Sequence, residues 1–275
     1  MKKTILITGS TDGIGLETAR VLVSLGHRVL LHGRNPSKTA KAEKTVSELA
    51  GDGGVESYVA DLSRMGEVEA LARAVAEKHS RLDVLINNAG VYNSPDPRTE
   101  EGLDVRFVVN TIAPYLLTRR LSSLLGASGR VINLSSAAQA PVDLEALSGK
   151  VRLSDSAAYA QSKLALTMWS RSLALVYGDQ GPVVVAVNPG SLLGTKMVKE
   201  AFGVVRGEVG VGAEILRRAA LEDEFASASG QYFDNDSGRF ASPHPEGLGP
   251  RKCREVVQGI ETILGELGHD VSANA

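Results

Sequence analysis

The sequence predicts an α/β fold, a doubly wound (Rossmann) parallel sheet of seven strands in a single domain over 1–275. Three observations predict it. Short apolar runs rich in β-branched residues alternate with amphipathic stretches of helical length, and near-continuous apolar strands belong to parallel sheets covered on both faces. Glycine-rich "TGSTDGIG" (8–15) follows the first run directly, where a phosphate-binding turn between strand and helix belongs. The chain carries no repeat of about 20–50 residues, so a solenoid is excluded.

The elements follow in order. "TILIT" (4–8) is strand one, and "LETARVLVSLG" the helix after it. "RVLLHG" (28–33) is strand two, followed by a polar-faced helix opened by Pro36. "GVESYVA" (54–60), "LDVLIN" (82–87), "RVINLS" (130–135) and "PVVVAVN" (182–188) continue the strands, with helices over "EVEALARAVAEKH", 103–125 and 157–177 between them. After Gly190 the regularity fails and glycine, proline and charge mix through about residue 250. Ligands of open α/β sheets sit beyond the carboxyl ends of the strands. The segment 190–250, leaving strand six at that edge, is therefore expected to form a variable substrate lid.

Composition narrows the function. The chain has 275 residues, 43% of them apolar, a net charge of −2 and a pI near 6.2. With no basic block, neither nucleic acid nor an anionic membrane is an expected partner. Cys253 is the only cysteine, which excludes an intrachain disulfide and suits a reducing, cytoplasmic setting. The apolar run after Lys2 and Lys3 breaks into glycines well short of the about 7–15 residues of a signal segment. No apolar run approaches the ~18 residues of a membrane span. His32 and His244 have no ligands at metal spacing, so no metal site is expected.

In the glycine turn, Gly9 permits the tight bend, Gly13 lets the backbone approach pyrophosphate and Gly15 allows close helix–sheet packing. The helix N-terminus then faces the phosphates. An NAD-binding turn carries an acidic residue about 20 positions on, for the ribose 2′-hydroxyl. Here strand two ends in "HGRN", with Gly33 where the acid would stand and Arg34 after it. A guanidinium fork suits a 2′-phosphate, so NADP(H) is favoured over NAD(H), with Lys38 as a weaker second cation.

A helical "YAQSK" places Tyr159 and Lys163 four positions apart, on one face of the 157–177 helix. A free phenol has a pKa of about 10 and is a poor base at neutral pH. A cation at ~4 Å lowers that by up to about three, into the range where general acid–base catalysis works. A Tyr-x3-Lys pair arises readily by chance in a chain with six tyrosines. This one follows strand five and "NLSS" (133–136).

The spacing TGxxxGxG, with "DLS" (61–63), "NNAG" (87–90), Asn110 in a helix, "NLSS", "YAQSK" and "NPG" (188–190) in that order, resembles the short-chain dehydrogenase/reductase family over nearly the whole chain. The longer interval between Ser136 and Tyr159 and the "YF" at 232–233 resemble its retinol-dehydrogenase-like branch. The resemblance implies an oxidoreductase interconverting a hydrophobic aldehyde or ketone and its alcohol. It implies Tyr159 as acid/base, Lys163 as the cation that also meets the nicotinamide ribose, Ser136 as the hydroxyl on the substrate oxygen, and Asn110 as a relay partner holding a water against Lys163. It also implies cofactor contacts at Ser10, Thr11, Ile14, Asp61, Leu62, Asn88, Ala89, Gly90, Pro189, Gly190 and Thr195. Thr195 lies one residue later than the family's threonine after Pro–Gly. Homodimers and homotetramers are common in the family, which offers the 103–125 and 157–177 helices as contacts. An epimerase or dehydratase on the same scaffold, a non-enzymatic dinucleotide sensor and an NAD-linked alcohol dehydrogenase are the alternative readings.

Overall fold

In the computed structural model, which describes residues 1–271, the strands run in the order β3-β2-β1-β4-β5-β6-β7-β8. The six strands expected from the apolar runs are β1 (Thr4–Ile7), β2 (Arg28–Gly33), β3 (Gly54–Val59), β4 (Val84–Asn87), β5 (Arg130–Leu134) and β6 (Val183–Asn188). β7 (Tyr232–Asp234) adds a seventh parallel strand, and β8 (Arg239–Ala241) pairs antiparallel with it. The sheet thus has eight strands rather than seven. A three-residue strand carries no periodicity that a sequence reading can detect.

Alternate residues of each strand enter two cores. Leu6, Leu30, Leu85, Val131 and Val184 point to one face, while Ile5, Val29, Ile86, Ile132 and Val185 point to the other, as the two-residue period of a strand requires. The second face is covered by α1 (Gly13–Ser24) and α2 (Pro36–Ser47), the first by α3 (Met65–Lys78). On that first face a further helix begins as α4 (Val105–Phe107), passes through a π-wound segment at Val108–Ile112 and continues as α5 (Ala113–Leu125). The insertion before Tyr159 forms the single turn α6 (Leu144–Leu147), ahead of α7 (Asp155–Tyr177), capped by Ser154.

The stretch 190–250 divides. α8 (Lys196–Phe202) lies over the strand ends, where Lys196, Met197 and Val198 line the groove. In contrast, α9 (Val209–Leu221) packs along α1 and buries Ile215, Leu216 and Ala219 against the sheet. It belongs to the body, as does the β7–β8 hairpin, so most of 209–250 is part of the fold and not a cover over the strand ends. The last helix, α10 (Pro250–Glu266), buries Val256, Ile260 and Leu264 in the same core as the apolar side chains of α5 and α7. Glu261 accepts from the Tyr115 hydroxyl at 2.6 Å and from Arg119 at 3.2 Å. α10 thus packs along α7 within the chain, and Met168 and Trp169 are core residues.

Strand order reverses between β1 and β4, and a crevice opens at the carboxyl ends of the strands there, the position where doubly wound sheets bind ligands. Among the described residues no helix is long and apolar enough to cross a membrane, and no group of side chains is arranged to hold a metal ion.

Candidate active site

The crevice is a groove of about 420 Å³ that runs from the glycine turn to Tyr159. Gly9, Thr11, Gly13 and Ile14 line its start. Gly9 has φ of +64°, and a Cβ there would come within 2.8 Å of the Ala89 backbone; only glycine meets both conditions. At Gly15 a Cβ would overlap the Asn88 amide and stand 2.6 Å from Gly9 O, so this glycine serves helix–sheet packing. Asp12 caps α1 by accepting from Gly13 N at 2.7 Å.

Ser10 departs from expectation. It is fully buried, and its hydroxyl donates to Ile7 O and accepts from His32 N, both at 2.9 Å. Its hydroxyl braces the turn from beneath instead of facing the groove. His32 completes the brace. Its Nδ1 accepts from Gly9 N at 3.1 Å and its Nε2 lies 3.0 Å from Ala60 O, an arrangement that requires the proton on Nε2. Burial pushes its pKa down to about 4, so the ring is neutral and can accept at Nδ1. From sequence His32 is weighed only as a metal ligand. Its signal was a polar side chain in an otherwise apolar strand.

Gly33 closes the carboxyl end of β2 in a tight space. A Cβ there would overlap the Thr11 methyl and stand 2.6 Å from Thr39 Oγ1. Arg34 and Lys38 are exposed at the rim of the groove. Asp61 and Leu62 form the neighbouring wall; Asp61 accepts from Ser63 N at 2.9 Å, which shapes its loop. Asn88 donates to Thr8 O at 2.8 Å and to Gly9 O at 3.0 Å, and with Ala89 and Gly90 it lines the middle of the groove.

Ser136, Tyr159 and Lys163 meet at the far end. The Ser136 hydroxyl lies close enough to the Tyr159 phenol to pull its pKa down. Ser135, by contrast, turns its hydroxyl into α7, 2.7 Å from Thr167 Oγ1. Lys163 Nζ donates to Leu134 O at 2.7 Å and stands 5.6 Å from the centre of the Tyr159 ring. Burial moves the two groups in opposite senses, because it disfavours each charged form. The lysine is pushed down to about 8. The phenol is raised, against the pull of the Ser136 hydroxyl, which reverses the lowering expected from Lys163. The Tyr92 ring lies 4.8 Å from that of Tyr159.

Asn110 falls in the π-wound segment and is buried. It accepts from Val91 N at 2.8 Å and donates to Val91 O and to Ser162 Oγ, each at 3.0 Å. Ser162 Oγ in turn donates to Tyr159 O at 2.7 Å. Asn110 thereby ties the "NNAG" loop to the helix turn that carries Tyr159. A Cβ on Gly90 would stand 3.3 Å from Asn110 Oδ1 and 3.5 Å from Lys163 Nζ, so Gly90 leaves room for these two groups to face one another.

Pro189 and Gly190 line the groove opposite Ser136. In the turn after them Leu192 has φ of +54°. Thr195 caps α8 by accepting from Val198 N at 3.2 Å, and its methyl lies 3.5 Å from where a Cβ of Gly13 would stand. Thr195 thus lies over the glycine turn.

A model of the short chain dehydrogenase family matches residues 3–203. The chain belongs to that family. Within this short-chain dehydrogenase family it is 31% identical over 263 residues to human retinol dehydrogenase 13, covering 89% of the chain and 80% of that relative. It is 35% identical over 211 residues to human polyprenol dehydrogenase, covering 73% and 64%. An uncharacterised protein of Mycobacterium Paratuberculosis superposes with a TM-score of 0.77 at 26% identity, over 96% of this chain and 93% of that one. A metagenomic short-chain oxidoreductase solved with NADP superposes with a TM-score of 0.61 at 31% identity, over 79% and 90%. The protein is a short-chain oxidoreductase of the retinol-dehydrogenase-like branch, NAD(P)-dependent and acting on CH–OH/C=O groups.

Proposed function

We propose that the chain uses NADP(H) in preference to NAD(H) to interconvert a hydrophobic aldehyde or ketone and its alcohol, with Tyr159 as the acid/base. The observation that carries this reading is the convergence of Ser136, Tyr159 and Lys163 at one end of the groove that starts at the glycine turn. The groove fits a dinucleotide. Gly9, beside Ala89, and Gly13, beside Thr195, leave space that side chains would fill, and the N-terminus of α1 offers backbone N–H groups to phosphate. Gly9, Thr11, Gly13 and Ile14 would hold the pyrophosphate, Asp61 and Leu62 the adenine, and Pro189 and Gly190 the nicotinamide.

Bound cofactor supplies the hydride that reaches the carbonyl carbon, or accepts it in the reverse direction. The residues of the chain handle the oxygen and the proton. As the C=O π pair moves onto oxygen, the Ser136 hydroxyl donates to the developing negative charge. Tyr159 gives its phenolic proton to that oxygen, and in the oxidative direction the phenolate takes it back. The raised phenol pKa keeps Tyr159 protonated at neutral pH, the form that reduction needs. Lys163, on the same helix face, stabilises the phenolate left behind. Val91, Val109, Leu193 and Met197 give the groove apolar walls near this point, which supports a hydrophobic substrate.

Arg34 supports the cofactor preference. Titration with NADPH and NADH, followed by fluorescence, is expected to give Kd for NADPH at least about tenfold lower, as one charge-assisted phosphate contact provides. Arg34→Ala is expected to erase most of that difference by weakening NADPH alone. A wild-type preference for NADH would overturn the NADP reading. Gly33→Asp is not expected to recruit NADH, since its Cβ already conflicts with Thr11 and Thr39. A tighter NADH complex in that variant would show that the two threonines yield.

A further inference from the structure

The β7–β8 hairpin reaches the groove from outside the residues discussed so far. Phe225, Phe233 and Phe240 anchor it, with ring centres 5.1–5.3 Å apart. β7 runs parallel to β6, with Asn188 opposite Asp234. From this base the hairpin tip holds the 188–191 turn. Asp236 Oδ1 accepts from Ser191 N at 2.8 Å. Its Oδ2 accepts from Ser191 Oγ at 2.6 Å and from Asn188 Nδ2 at 2.9 Å. Asn235 Nδ2 donates to Pro189 O at 2.9 Å, and Asn235 N to Asn188 O at 3.2 Å. Burial raises the Asp236 carboxyl, yet the bonds from Ser191 and Asn188 hold it below its ordinary range.

The turn needs such a hold. Pro189 lacks an N–H, and Gly190 takes φ of +122°, a conformation that makes no ladder of its own. Asn188, Pro189 and Gly190 line the groove alongside Tyr159 and Lys163. A second contact of the same hairpin, from Tyr232 OH to Ser136 O at 3.1 Å, leads to the opposite wall.

We propose that Asp236 is a positioning residue for the dinucleotide, holding the 188–191 turn through Asn188 and Ser191 at the distance from Tyr159 and Lys163 that the nicotinamide end requires. The inference rests on the dinucleotide reading of the groove. Asp236 touches neither cofactor nor substrate; it acts through the turn. The turn lies at the end of the groove away from Arg34, so it bears on NADPH and NADH alike.

The test is fluorescence titration of NADPH and NADH against purified wild type, Asp236→Ala, Asp236→Asn and Tyr232→Phe. Asp236→Ala removes three hydrogen bonds to a charged acceptor, and Kd is expected to rise about tenfold or more for both cofactors. The ratio between the cofactors and the number of sites per chain stay unchanged. Asp236→Asn, which keeps one acceptor oxygen and the shape, is expected to fall between wild type and Asp236→Ala, and it carries the test if the alanine variant does not fold. Tyr232→Phe removes the hairpin's contact to Ser136 and is expected to stay within about twofold of wild type, since the turn keeps its bonds from Asp234, Asn235 and Asp236. A folded Asp236 variant with wild-type Kd would overturn the inference, as would equal weakening by Tyr232→Phe, which would mean only a loosened hairpin. A change confined to the number of sites, with Kd intact, would show a structural role and overturn it too. A wild-type chain that bound neither dinucleotide would overturn the reading of the groove itself.

Discussion

Tyr159→Phe is expected to lower turnover about 10²–10⁴-fold, the range that a positioned general acid contributes, while NADPH binds nearly as before. Removing one oxygen leaves the ring where it packs, 4.8 Å from Tyr92, so the helix and the groove keep their shape. What is lost is the phenolic oxygen that stands with Ser136 and Lys163 at the end of the groove. Steady-state kinetics of NADPH-dependent reduction of a hydrophobic aldehyde, beside a binding titration, checks both halves. Near-normal kcat in the variant would remove Tyr159 from the mechanism, whatever became of the cofactor assignment.

Lys163→Met is expected to abolish most turnover and to change the pH dependence of stability in a sense that can be worked out. The buried ammonium has its pKa lowered from 10.5 to about 8. Between those values the unfolded chain binds more protons than the folded one, so wild-type stability rises with pH through this window. Below pH 8 both states are protonated and the cost of the buried charge is fully present. Methionine at the position carries no such dependence. Relative to Lys163→Met, the wild type is expected to gain about 3 kcal/mol between pH 7 and pH 10.5. Urea unfolding of the two cofactor-free proteins at several pH values measures the gain. A constant difference would mean that the lysine reaches solvent when no dinucleotide is bound.

The alternation of apolar runs with helical stretches made the six main strands legible, because a buried parallel strand has almost no choice of residue type. The turn chemistry at 8–15 was legible for a related reason: a Cβ at Gly9 would come within 2.8 Å of the Ala89 backbone, which excludes a side chain. β7 and β8 were harder to read. At three residues each they have no period, and they exist because Phe233 and Phe240 find Phe225 across space.

The site divides in the same way. Tyr159 and Lys163 share a helix face by local geometry alone, and Ser136 follows from its place after β5. The sequence by itself therefore determined the doubly wound fold, the glycine turn, the absence of an acid at Gly33 and the identity of the residues gathered at the groove's end. Only the tertiary structure decided how they are held. Ser10 and His32 brace the turn from below, Thr195 lies over Gly13, α10 packs along α7, and Asp236 reaches the turn at 188–191 from 45 residues downstream. The direction of the Tyr159 shift belongs there too. A cation four residues away argues for lowering, but burial acts on the phenol and the ammonium at once and outweighs that proximity. Periodicity and turn chemistry act between near neighbours in the chain, whereas hydrogen-bond partners and desolvation depend on which distant segments the fold brings together.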